Sequence, residues 1–266
     1  MGPKDENKQM RIAQITDAHI FEDPDTRFEG CDTRASFEAV LAEIQSLGNI
    51  DLIVATGDMS MDGGFVSYRF LNSLFSDCDI PVLAVPGNHD EPGVASQSSN
   101  FYFLTSAVNR DFGRWRFHFL NTKKDGHELG EIDSKDLSEL ARNIVSAGRR
   151  PQIIFMHHPP LKIGSAWLDD IKLENASDFW HIVSQNPNVK GVFCGHVHQD
   201  NEISRNGVRV ITTPSTCVQF KRHSRIYQIE RLLQPGFRVI EAQDDGTFSH
   251  LLVRLEPSDE FSVPLL

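Results

Sequence analysis

Short apolar runs that end in polar turns, separated by stretches of helical period, constrain this chain more than any other feature. The runs are Met10-Arg11-Ile12-Ala13-Gln14-Ile15, Asp51-Leu52-Ile53-Val54-Ala55, Pro81-Val82-Leu83-Ala84-Val85, Gln152-Ile153-Ile154-Phe155-Met156 and Val189-Lys190-Gly191-Val192-Phe193-Cys194. Their length and apolar continuity are those of buried strands. Between them, Thr33 to Leu47 carries Phe37, Val40, Leu41, Ile44 and Leu47 at helical spacing, and Phe65 to Phe75, Ser134 to Ala147 and Ala176 to Ser184 repeat the pattern. Strand and helix in alternation predict βαβ crossovers and a mostly parallel sheet, whose ligands gather at the carboxyl ends of the strands.

After Gly195 the texture changes. Asn206-Gly207 separates Glu202-Ile203-Ser204 from Val208-Arg209-Val210-Ile211, and Pro235-Gly236 and Asp245-Gly246 punctuate the later part of the chain. These are hairpin signals. No Pro/Ser/Gly linker precedes them, so the expectation is a second sheet packed on the first, joined by Arg114 to Leu120, rather than a separate domain. The expected architecture is an α/β fold in a single domain, residues 10–256, with a flexible N-terminal segment at 1–9 and a C-terminal tail at 257–266.

Composition narrows the partners. With 26 Lys plus Arg against 37 Asp plus Glu, the formal net charge of -11 opposes a phosphate backbone, so no nucleic-acid partner is expected. No apolar run approaches the roughly 18 to 20 residues of a membrane span, and the opening MGPKDENKQM lacks an apolar signal core. Glu6 stands where a myristoylation signal needs Ser or Thr. The chain therefore reads as cytoplasmic and without a membrane partner; its oligomeric state leaves no trace in the sequence. Cys31, Cys78, Cys194 and Cys217 are widely spaced with no C-x-x-C, and are expected as buried free thiols.

The turns carry the chemistry. They read Asp17-Ala18-His19, Gly57-Asp58, Gly87-Asn88-His89-Asp90, His157-His158 and Gly195-His196-Val197-His198, and they hold six of the eleven histidines. If the strands are parallel neighbours, all five turns open on one sheet edge and converge there. Taken singly the signals are modest: Gly-Asp is a common turn, whereas G-H-x-H after a strand aims two imidazoles the same way. Carboxylates, an amide oxygen and imidazoles together suit borderline transition metals, and lack the thiolate of a soft site. A single catalytic zinc needs about three protein ligands, so Asp17, His19, Asp58, Asn88, His157, His196 and His198 suggest two ions, with a carboxylate able to bridge. Two divalent ions, two aspartates and a hydroxide leave roughly +1, an attractive field for a phosphodiester. Outside the turns, His118, His127, His181, His223 and His250 are expected in packing or solvent, and Asp62, Asp169 and Asp170 as solvated acids. Lys221-Arg222-His223 reads either as a lure for an anionic substrate or as plain surface.

D-x-H, G-D, G-N-H-D, a strand-end His and G-H-x-H, in this order, resemble the calcineurin-like metallophosphoesterase superfamily. Within it, Ile15-Thr16-Asp17-Ala18-His19, Pro86-Gly87-Asn88-His89-Asp90, His157-His158-Pro159-Pro160 and Cys194-Gly195-His196-Val197-His198-Gln199 look like the class III cyclic-nucleotide phosphodiesterases. Ser165-Ala166-Trp167-Leu168-Asp169 and Thr213-Pro214-Ser215-Thr216-Cys217-Val218-Gln219-Phe220 point further, to the bacterial cAMP phosphodiesterases, over a match from about Arg11 to Leu255. The resemblance implies two packed mixed β-sheets flanked by helices, a four-layer α/β/β/α sandwich. It implies that Asp17, His19, Asp58 and His198 hold one metal, and Asp58, Asn88, His157 and His196 the other. The ions would be iron or manganese first, zinc or cobalt next. His157 rather than His158 takes the ligand role because it matches the family position. Catalysis would fall to His89, facing the leaving oxygen and oriented by Asp90, while a metal-bridging hydroxide attacks in line. His19, Asp58, Asn88, His89 and His198 would also meet the substrate. The implied reaction is hydrolysis of 3′,5′-cyclic AMP to 5′-AMP. A glycerophosphodiesterase or broad phosphodiesterase with the same centre is the rival enzyme, and a non-catalytic scaffold the rival from another class. Trp167 and Phe220 are candidates for stacking on a base, or equally for core packing.

Overall fold

The computed structural model describes residues 9–98, 103–259, 261 and 263. Residues 1–8 of the expected flexible segment, and part of the expected tail, lie outside the described residues. In chain order the elements are β1 (Met10–Ile15), α1 (Thr33–Ser46), β2 (Leu52–Ala55), α2 (Phe65–Ser76), β3 (Val82–Ala84) and α3 (Pro92–Ala95). There follow β4 (Val108–Phe112), β5 (Trp115–Leu120), α4 (Ser134–Ser146), β6 (Gln152–Met156), α5 (Ala166–Asp169), α6 (Ala176–Val183) and β7 (Val189–Cys194). The chain closes with β8 (Asn201–Arg205), β9 (Val208–Thr212), β10 (Gly236–Ala242) and β11 (Phe248–Arg254).

Two mixed sheets result, ordered β11-β10-β1-β2-β3 and β4-β5-β6-β7-β9-β8. Their facing sides make one core: Ile12, Leu52, Val54 and Ile240 from the first meet Trp115, Phe117, Phe119, Ile153, Phe155, Phe193 and Ile211 from the second. Because side chains alternate along a strand, the other faces are also apolar and take helices. Ala13, Ile15, Ile53 and Ala55 pack with Phe37, Val40, Ile44 and Leu71 of α1 and α2. Ile154, Met156 and Val192 pack with Leu137, Leu140, Phe179 and Val183 of α4 and α6. The result is the expected four-layer sandwich. A ladder of rings crosses the second sheet in register, Phe119 stacked at 5.5 Å on Phe155 and Phe155 at 5.7 Å on Phe193.

Helix ends obey local chemistry. Asp32 caps α1 by accepting from the amides of Arg34 and Ala35, and Asp133 caps α4 by accepting from Lys135.

One expectation is corrected. The parallel strands do not form a single sheet: β1, β2 and β3 lie in one, while β5, β6 and β7 run parallel in the other. The late strands are divided too, since β10 returns to pair antiparallel with β1, and β11 pairs antiparallel with β10 at the sheet edge. Apolar period reports which strands are buried on both faces, but not which sheet each one joins. The polar turns therefore come from two sheets and meet where the carboxyl ends of β1, β2, β3, β6 and β7 point the same way.

Candidate metal centre

At this shared edge the backbone takes an unusual course. Asp17, His19, Asp58, His196 and His198 all have positive φ, between 48° and 70°. Non-glycine residues adopt this region rarely, and a cluster of them marks strain held in place by surrounding contacts. The restraints are visible: Asp17 N donates to Gly57 O, His19 N to Asp58 O, and Gly195 N to His157 O, so each loop is tied to the next. Two glycines permit the close approach. A Cβ on Gly57 would lie 2.6 Å from Gly87 N and from His157 Nδ1, and one on Gly87 would lie 2.1 Å from Asp58 Oδ1.

All seven expected ligands converge. Asp17, His19, Asp58, His157, His196 and His198 are buried, with Asn88 half-buried beside them. Among the described residues, donor atoms within 4.8 Å of one another form four sets that could each hold a metal ion: Asp17–His19–His198, Asp17–Asp58–His157, His157–His158–His196 and His19–Asp58–His89. The carboxylate of Asp58 sits centrally, Oδ2 at 3.3 Å from His157 Nε2 and 3.9 Å from His19 Nε2, while Oδ1 accepts from His89 N. Backbone carbonyls fix the rings: His157 Nδ1 donates to Thr56 O at 2.7 Å and His198 Nδ1 to Val218 O at 2.6 Å, which aims both Nε2 atoms inward.

A pair of cations fits this donor set. His198 Nε2 faces His19 Nε2 at 3.1 Å, and His196 Nε2 is buried without a hydrogen-bond partner among the described residues. Burial opposes ionisation of Asp58 and Asp17, yet the facing imidazoles hold both below the usual carboxylate range. At His157 burial works against protonation, but Asp58 outweighs it and raises the ring to about 9, so positive charge is favoured at Nε2. Burial, aided by the neighbouring imidazoles and opposed by the Asp58 and Asp17 carboxylates, lowers His19 and His196 to about 3, which keeps them neutral and able to ligate.

Asp90 stands apart from the role expected of it. Its buried carboxylate accepts from the amides of Met59, Ser60 and Gly87 and from Tyr68 Oη. The orientation of His89 comes instead from Met61, whose carbonyl accepts from His89 Nδ1 at 3.0 Å. A carboxylate facing several converging amides is held by them, and burial followed by the Asp58 charge raises Asp90 to about 7. Asp90 thus clamps the Gly57 and Gly87 loops together.

Beside the ligands a pocket opens, walled by Phe28, Met61, Glu128, Trp167, Ile171, Phe220 and Tyr227. Phe220 does not offer a free face on the ligand side, since its ring lies flat on His198 at 4.0 Å and 10°. Trp167 and Tyr227 pack against it in steeply inclined edge contacts, with ring centroids at 5.1 and 5.3 Å. His158 has both nitrogens engaged, by Thr122 Oγ1 and Glu128 O. Asp62 and Asp169 accept from nearby loop amides, and Lys221, Arg222 and His223 are exposed. Sequence reasoning missed Thr56, Val218 and Met61, which act through the backbone and so leave no residue-type signal; Tyr68, whose hydroxyl holds Asp90, reads in the sequence only as an apolar helix position.

The fold and site define a metallophosphoesterase, and the chain belongs to the calcineurin-like phosphoesterase family, whose model matches residues 10–200. It is 35% identical over 251 residues to the 3′,5′-cyclic adenosine monophosphate phosphodiesterase CpdA of Escherichia coli K12, covering 93% of this chain and 90% of CpdA. A 3′,5′-cyclic-nucleotide phosphodiesterase of Nostoc sp. is 32% identical over 98% of this chain and 96% of its own length. Among solved structures, a dimetal phosphatase from Danio rerio superposes with a TM-score of 0.64 at 15% identity, over 92% of this chain and 98% of that one, which speaks to the fold alone.

Proposed function

We propose that this chain hydrolyses 3′,5′-cyclic AMP to 5′-AMP at a centre of two divalent transition-metal ions. The observation that carries the reading is the central Asp58, within reach of both groups of buried imidazoles. In this reading Asp17, His19, Asp58 and His198 hold one ion, Asp58, Asn88, His157 and His196 the other, and Asp58 bridges. Iron or manganese is the preferred pair, with zinc and cobalt also suited to nitrogen and oxygen donors. Support for the substrate comes from the relatives, named for cyclic AMP and cyclic nucleotides and matched over nine-tenths of this chain. The ions, when bound, supply Lewis acidity and a nucleophile activated at neutral pH.

The protein's own residues do the rest. His89 is held by the Met61 carbonyl through Nδ1, so its Nε2 is the atom left to meet substrate. A proton at Nε2 serves the departing 3′ oxygen, whose alkoxide is too basic to leave unaided. Phe28, Trp167 and Tyr227 offer an apolar wall to a nucleoside, which favours a cyclic nucleotide over a glycerophosphodiester. Four buried free thiols suit a reducing cytoplasm.

The test pairs stoichiometry with selectivity. Reconstituted wild-type protein should hold two ions per chain, and Asp58→Ala should weaken both. Its kcat/KM for cyclic AMP should exceed those for a 2′,3′-cyclic nucleotide and glycerophosphoethanolamine. A single ion in the wild type would end the bridging assignment; preference for the glycerophosphodiester would hand the site to the rival enzyme.

A further inference from the structure

We infer that Met61 is a positioning residue whose sulfur selects the metal-ready tautomer of His19, an inference that rests on the proposed metal centre. A neutral imidazole has one ring proton, and at His19 the groups about Nε2 compete for it with the one partner of Nδ1; the carboxylates of Asp58 and Asp17, at 3.9 and 4.0 Å, add to the pull toward Nε2. Nε2 lies 3.1 Å from His198 Nε2, and Nδ1 lies 3.1 Å from Met61 Sδ. A neutral His198 ring has no second proton to donate in return, because its Nδ1 donates to the Val218 carbonyl.

The two outcomes are chemically opposite. With the proton on Nε2, His19 donates to His198, and the two nitrogens needed for ligation are tied to each other across the site. With the proton on Nδ1, the thioether accepts it and both Nε2 lone pairs face the metal position. A thioether is a weak acceptor, but it is the partner within reach of Nδ1, at 3.1 Å, on a ring only 3% exposed. An imidazole N–H buried without any acceptor would cost more than the weak bond supplies. Met61 thereby offsets the self-closing bond to His198, and any fraction of chains left in that bond lowers the apparent metal affinity in proportion.

The sulfur is held where it acts. Met61 N donates to Ile20 O at 3.0 Å, which ties its loop to the strand-end segment carrying His19. Its carbonyl takes the Nδ1 proton of His89. One residue thus sets the ring of a ligand through its side chain and the ring of the proton donor through its backbone. Substitution at position 61 can separate the two, since a leucine keeps the carbonyl and removes only the acceptor.

Histidine 15N spectra of metal-free wild type, Met61→Leu and Met61→Gln test this directly. Wild type should carry the His19 proton on Nδ1; Met61→Leu should move it to Nε2; Met61→Gln, with an amide oxygen as acceptor, should return it. Manganese affinity by chelator competition should fall roughly tenfold at one site in Met61→Leu, the scale for losing an outer partner of a ligand, and recover in Met61→Gln. Unchanged His89 and His157 signals would show that the loops are intact. An identical His19 tautomer in wild type and Met61→Leu, or equal loss in both variants, would overturn the role of the sulfur. A wild type that binds no manganese would instead sink the metal-centre reading, while the tautomer comparison on metal-free protein would still decide what Met61 does to the ring.

Discussion

His89 is half-buried at the rim of a set of more deeply buried histidines; it lies within reach of His19 and Asp58, and its hydrogen bonds are what set it apart. Its Nδ1 is spent on a carbonyl, its amide on Asp58, and its ring meets His19 edge-on at 5.1 Å. With Nδ1 engaged, Nε2 is the atom His89 presents to the pocket it lines. His89→Asn should therefore keep two metals while losing about 10² to 10⁴ in rate on cyclic AMP, the usual range for a positioned acid. Bis(p-nitrophenyl) phosphate needs no proton at its leaving oxygen, so its turnover should fall far less. Assaying both substrates on metal-replete protein separates the possibilities. Equal losses would mean that His89 chiefly binds the phosphate, and loss of metal would return it to the ligand set.

The loops that carry these residues are braced as elements, and the brace is Tyr68 on α2. Its hydroxyl donates to Asp90 Oδ1 at 3.2 Å and accepts from Glu91 N at 2.6 Å, so a helix on the outer face reaches the turn after β3. Tyr68→Phe leaves the Glu91 amide without that acceptor and Asp90 short of one donor. Destabilisation of about 1 to 3 kcal/mol is expected in urea unfolding, the cost of stranding buried polar groups; an unchanged midpoint would show that the brace is idle. Residue type made the converging Asp, Asn and His residues legible in the sequence as proposed ligands, because each is a polar residue interrupting an apolar run at a strand end. The bracing was not legible, because its atoms are main-chain carbonyls at Thr56, Met61 and Val218, or a tyrosine that fits a helical apolar face. Asp90 was visible as a motif residue, yet only the converging amides of Met59, Ser60 and Gly87 distinguish a loop clamp from an orienting acid.

At the scale of the whole molecule, two sheets pressed face to face bury more than apolar side chains. Gln14, between the sheets, donates to Thr56 Oγ1 and Cys194 O and accepts from Thr213, whose hydroxyl also accepts from buried Arg238. The sequence shows such residues as polar interruptions in apolar runs but not their pairing, since partners such as Cys194 and Thr213 come from the other sheet. His118 on β5 is another. It is 1% exposed, and its Nε2 donates to Gln152 Oε1 at 2.7 Å. Burial lowers it from 6.5 to about 4, only partly offset by that bond. Above pH 6.5 the ring is neutral in both the folded and the unfolded chain and has no effect. Between 6.5 and 4 the unfolded chain takes a proton that the folded chain refuses, so stability is lost as pH falls, and the loss levels off below the folded value. By pH 5 this one ring should cost about 2 kcal/mol. His118→Gln cannot titrate, so the difference in unfolding free energy between about pH 7.5 and about pH 5 should shrink by that amount relative to wild type. Metal-site histidines titrate in both proteins and cancel in the comparison, provided both are studied metal-free. Parallel acid limbs for wild type and variant would show that His118 accepts its proton in the folded chain as readily as in the unfolded one.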